Sequence, residues 1–132
     1  MEVVKDGDTI LAIICRDGDW KPGLDFVTPD GFFIQAGCWQ YPAGKILPAH
    51  RHKPHRRVAD KTQEVTYVKR GRIKVSLYDK AGMPVREVVL AAGDFAVLAE
   101  GGHGYEILED DTQVLEVKNG PFVTVEDDKE PI

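Results

Sequence analysis

Apolar and β-branched residues along this chain recur in short runs rather than long stretches. The alternation is sharpest in Arg72-Ile73-Lys74-Val75-Ser76-Leu77, where Ile73, Val75 and Leu77 fall on one face and polar residues on the other. Gln113-Val114-Leu115-Glu116-Val117-Lys118 repeats that period. Similar runs at 9–15, 25–28, 32–41, 64–69, 84–90, 94–99 and 105–109 predict further strands, with 72–78 and 113–118 as the clearest two. Turn signals stand between them, among them Pro29-Asp30-Gly31, Arg70-Gly71, Ala81-Gly82 and Ala92-Gly93-Asp94. Many short strands separated by tight turns predict an all-β sandwich, barrel or jelly roll.

Composition narrows this picture. The 13 Gly and 8 Pro are scattered without period, which excludes collagen-like and low-complexity chains and leaves a helix bundle little uninterrupted sequence. The 132 residues, 42% apolar and 30% charged, suit one domain, with no linker that would divide it. A formal charge of −5 argues against nucleic acid as a partner, because a phosphate binder needs a net basic face. No apolar run approaches the length of a membrane-spanning helix and the N-terminus lacks a signal-peptide pattern, so the expectation is a cytoplasmic protein with no membrane partner. Cys15 and Cys38 then read as reduced thiols packed as small apolar side chains. The acidic tail, residues 126–132, is expected to be solvated and poorly ordered.

The histidines carry the candidate chemistry. Three of the four lie in His50-Arg51-His52-Lys53-Pro54-His55, and the fourth stands far away in Gly101-Gly102-His103-Gly104. In an extended segment His50 and His52 project to the same side and offer two imidazoles at one point. A carboxylate such as Glu64, at the start of a later strand, would complete the two-His-one-carboxylate pattern that suits divalent ions with open positions. The competing reading makes these histidines ordinary loop or core residues satisfied by hydrogen bonds. Residues 50–61 also form a basic island of Arg51, Lys53, Arg56, Arg57 and Lys61 with a single acid, Asp60. Arg57 is the candidate clamp for an anion, with His55 beside it as a second ligand-binding candidate; a plain solvated loop is the alternative. Phe33, Gln35 and Trp39 are candidates to line a pocket next to the site, Gln35 and Trp39 as substrate contacts.

The order of these residues resembles the cupin superfamily. Gly44, five residues, His50-Arg51-His52, a spacer, Glu64, six residues and Gly71 follow that family's first motif; Gly93-Asp94 and His103 follow its second. The spacer between His52 and Glu64 is eleven residues, longer than the family's usual one. The resemblance spans about residues 44–107 and implies a single-domain cupin jelly roll, a double-stranded β-helix, over residues 1–132. It further implies one divalent metal ion (iron, manganese, nickel or zinc) held by His50, His52, Glu64 and His103, and a homodimer. Thr62-Gln63-Glu64-Val65 and Val117-Lys118-Asn119-Gly120-Pro121 are similar to a narrower group of small cupins found with sugar-nucleotide and polysaccharide synthesis proteins. The expected function is therefore action on a small anionic or sugar-derived metabolite, with isomerisation or dioxygenation as the reaction types. The alternatives are a non-catalytic ligand-binding module and a metal-free sugar isomerase or epimerase that uses a histidine base.

Overall fold

In the computed structural model, which describes residues 1–132, the two most strongly alternating segments become strands with the expected bounds. The strands in chain order are β1 (Glu2–Asp6), β2 (Thr9–Cys15), β3 (Gly23–Phe26), β4 (Gly37–Gln40), β5 (Glu64–Arg70), β6 (Arg72–Tyr78), β7 (Pro84–Ala91), β8 (Phe95–Leu98), β9 (Gly102–Ile107) and β10 (Gln113–Lys118). A one-turn helix, α1 (Val125–Asp128), and a 3-10 turn at Asp17–Asp19 are the only helical pieces. The fold is all-β, and every strand pairing is antiparallel. No helix is long and apolar enough to cross a membrane.

Three sheets form, ordered β1-β2-β8-β5-β10, β7-β6-β9 and β3-β4. The main core is shared between the first two. Val4, Ala12, Ile14, Val68, Ala96 and Leu98 come from the five-stranded sheet and meet Ile73, Val75, Leu77, Val88 and Leu90 of the three-stranded one. This is the expected consequence of period-two patterning, since each strand turns one apolar face inward. The other face of the five-stranded sheet buries Ile13, Cys15, Phe95 and Val97 under Cys38 and the partly buried Val27, Phe32, Ile34 and Ala36. Cys15 and Cys38 are both buried free thiols, and burial pushes the Cys15 thiol up to about 12.

Two glycines make the tight reversals possible. Gly71 joins β5 to β6 at φ +78°, and a Cβ there would collide with Thr112. Gly93 precedes β8 at φ +92°, where a Cβ would stand 2.6 Å from the Asp17 carboxylate.

The structure differs from the sequence pattern in five places, one being that the run at 105–109 shifts back to β9 at Gly102–Ile107 and takes His103 into the strand. β1 has only Val4 buried, too little apolar signal to stand out. The run at 25–28 shifts back to Gly23–Phe26. The run at 32–41 pairs only over Gly37–Gln40, because the amides of Phe33 and Ile34 donate to the Gln63 side chain at 2.7 and 3.3 Å instead of to a neighbouring strand. The tail is tied down by the helical turn α1, whose Asp128 bonds Thr62 at 2.6 Å.

Candidate functional site

β5 turns Glu64, Thr66 and Val68 to the interior face, and β9 presents His103 and Tyr105, also two residues apart, from the three-stranded sheet. The two faces meet in a polar cluster at one end of the apolar core. Glu64 is only 3% exposed, and its Oε1 accepts a hydrogen bond from the Tyr105 hydroxyl at 2.7 Å. His103 Nε2 approaches the same oxygen at 2.9 Å. The phenol's single proton goes to the carboxylate, so the Thr66 hydroxyl, 2.7 Å away, donates to the phenol oxygen. The result is a chain Thr66, Tyr105, Glu64, His103 that links the two sheets.

The backbone at Glu64 is fixed from both sides. Gln63, itself buried, donates its amide to Asn119 Oδ1 at 2.7 Å and receives the Asn119 amide at its carbonyl at 3.3 Å. Its side chain braces Phe33 and reaches the Ala99 carbonyl. On the neighbouring strand Lys118 is the register partner of Glu64, so both side chains stand on one face.

Burial opposes ionisation of Glu64, but the hydrogen bonds from His103 and Tyr105 outweigh it and hold the carboxyl below its ordinary range. Burial and the neighbouring Glu64 carboxylate push the Tyr105 phenol well above its ordinary value despite the Thr66 hydrogen bond. At neutral pH the site therefore presents an anionic carboxylate beside a neutral phenol.

His50 and His52 lie in the segment that joins β4 to β5, where every residue from 41 to 62 is exposed and none belongs to a strand or helix. Their rings meet edge to face, with centroids 5.3 Å apart, and His50 Nδ1 lies 3.2 Å from the Pro48 carbonyl. The same arm exposes Ile46 (82%) and Val58 (71%). The four expected ligands are thus held as two pairs, Glu64 with His103 and His50 with His52, and no three His, Cys, Asp or Glu side chains stand where one ion could bind them together. The donor chemistry nonetheless suits a divalent ion. The 2.9 Å between Glu64 Oε1 and His103 Nε2 is close to the separation of about 3 Å between adjacent donors around an octahedral ion with bonds of about 2.1 Å.

Of the expected substrate contacts, Arg57 and His55 are exposed in the arm. Gln35 spends its side chain bracing its own loop, donating to the carbonyls of Pro29 and Phe32 at 3.0 and 3.1 Å. Trp39 lies opposite Leu24 in the two-stranded sheet, half exposed and edge-on to Tyr41. None of these four lies on the strands that carry Glu64 and His103.

Three site residues were not picked out by the sequence reading: Thr66, Tyr105 and Lys118. A signal for two of them exists, since Thr66 and Tyr105 each follow an expected ligand by two residues in a strand and so share its face. Comparisons with protein-family models, curated proteins and solved structures give no match to this chain.

Proposed function

We propose that the chain is a cupin-type jelly roll that binds one divalent metal ion through His50, His52, Glu64 and His103 and acts on a small anionic or sugar-derived metabolite. The observation that carries this reading is the 2.9 Å contact between Glu64 and His103, two of the expected ligands, which meet from different sheets. The exposed arm carries the other two, with ring centroids 5.3 Å apart. β9 is an edge strand with one side unpaired, and such an edge is a template for an added strand. Docking of the arm there would cover its apolar Ile46 and bring His50 and His52 toward His103.

The bound ion would supply Lewis acidity toward a carbonyl or hydroxyl oxygen. The chain's own residues do the rest. The Tyr105 hydroxyl, itself held by Thr66, would keep Glu64 oriented with His103 turned to the ion, and the apolar core beneath excludes water from that side. The ligand is a small molecule rather than nucleic acid, and the resemblance also carries a cytoplasmic homodimer and a role in polysaccharide or nucleotide-sugar metabolism.

Elemental analysis of the purified protein, combined with thermal-shift titration of zinc, nickel, manganese and iron(II), tests the reading. Near-stoichiometric metal and a raised Tm are expected for the wild type, with both lost in Glu64→Gln and His103→Ala. A wild type that neither retains nor responds to any of these ions would overturn it.

A second reading is supported by the pairing itself. With its Nε2 proton directed at Glu64, His103 keeps a free lone pair at Nδ1, the arrangement of a histidine base oriented by a carboxylate in a metal-free isomerase or epimerase. Turnover that survives exhaustive chelation would select that reading.

A further inference from the structure

The chain's C-terminal segment lays a carboxylate against Thr62 and Lys118, beside the strands that carry the candidate site. Asp128 accepts a hydrogen bond from the Thr62 hydroxyl at 2.6 Å on one oxygen, and its other oxygen lies 3.4 Å from Lys118 Nζ. Thr62 stands two residues before Glu64, and Lys118 is the register partner of Glu64 on the adjacent strand. Both groups that hold Asp128 are thus anchored to the candidate site itself. Lys118 is half buried, and its other ionic partner is Glu116 at 3.7 Å. The neighbouring Lys129 carries its positive charge near enough to Glu64 to favour the ionised carboxylate.

The segment that delivers Asp128 is lightly attached. Its helix is one turn long, has no buried residue, and is closed by the Thr124 cap and the backbone bond from Lys129 to Val125. Beyond it Ile132 rests against Gly82 and Gly102, yet stays largely exposed. Few buried contacts mean a small cost of local opening. A two-point carboxylate holder, one hydroxyl and one ammonium, is therefore capped by an internal carboxylate that can leave.

We propose that Thr62 and Lys118 form a carboxylate-binding subsite beside Glu64 and His103, filled here by the chain's own Asp128, and that a small carboxylate ligand displaces the C-terminal strap to occupy it. This rests on the reading that the site takes an anionic metabolite and adds where the anion binds. It moves the principal cation from Arg57 of the arm to Lys118 of β10. The subsite suits a planar carboxylate, because one oxygen meets a hydroxyl donor while the other meets the ammonium.

Malonate binding, followed by isothermal titration on the full chain, tests the proposal with metal neither added nor required. Asp128→Ala removes the internal competitor from an exposed turn and is expected to tighten malonate binding at least fivefold over the wild type. Lys118→Met in that background is expected to abolish the gain. Malonate should also speed hydrogen exchange at the amides of Asp128 and Lys129 in the wild type, because the strap is released. Equal malonate affinity for the wild type and Asp128→Ala overturns the subsite. If Arg57→Ala then removes binding, the anionic reading survives without it. If neither malonate nor inorganic phosphate binds any form, both readings fall.

Discussion

Asp94 and Glu64 are both buried acids, one just before and one within a strand of the five-stranded sheet, and their partners divide them into different kinds of residue. Asp94, just before β8, accepts the amides of Asp17 and Ala91 at 3.0 Å each and the Arg16 guanidinium at 2.8 Å. These partners cannot change protonation near neutral pH, and together they knot the turn after β2 to the turn between β7 and β8. Glu64 instead meets an imidazole and a phenol, both side chains and both delivered by the opposite sheet. An acid surrounded by main-chain donors and arginine holds a fold together. One that shares its oxygen with an imidazole, a side chain able to bind an ion, is placed for chemistry.

That contrast is open to direct attack by mutation. Asp94→Ala removes the shared acceptor of two amides and a guanidinium at the junction of two turns, and is expected to cost about 1–3 kcal/mol in denaturant unfolding. Glu64→Gln keeps the shape and an acceptor oxygen at the site, so its cost is expected to stay below about 1 kcal/mol. Equal costs for the two variants would erase the distinction drawn between them.

A smaller effect appears on acidification. Hydrogen bonds from the Ala91 and Asp17 amides and from Arg16 outweigh the burial that opposes Asp94 ionisation, so its carboxyl is held below the ordinary 3.8, as Glu64 is held below 4.5. A carboxyl depressed in the folded state contributes stability that is present above its unfolded pKa and is lost as pH falls through the folded value. Stability from these two groups is therefore expected to be level from pH 7 to about 5 and to decline below about 4. Asp94→Asn should show a shallower decline between pH 5 and 3 than the wild type. Parallel pH profiles for variant and wild type would count against the Asp94 knot.

Much of the fold was legible because strand periodicity is a local property. β2, β6 and β10 are read with their full bounds, since each alternates or runs apolar between clear turn signals. The segment 32–36 misled the reading for a tertiary reason. Its amides are satisfied by the side chain of Gln63, thirty residues away in sequence, and no local pattern reports that. The tail is solvated, as its acidic run reads, with only Asp128 partly covered; its contacts to Thr62 and Lys118 come from the fold and no local pattern reports them.

The site was legible by half. Glu64 and His103 were named from their place in the sequence and do meet, despite an eleven-residue spacer between His52 and Glu64. Tyr105 and Lys118 escaped notice because their importance comes from strand pairing across the molecule: β9 had to be set against β5, and β10 beside it, before either touched Glu64 or its neighbours.

The central claim is that the two pairs, Glu64 with His103 and His50 with His52, serve one ion. Isothermal titration of zinc into wild type, His103→Ala and His52→Ala tests it most directly. If one ion draws on both pairs, each substitution weakens binding by tenfold or more while the stoichiometry of the wild type is one. Unchanged zinc affinity in His52→Ala, alongside a loss in His103→Ala, would show that the arm stays apart and contradict the account.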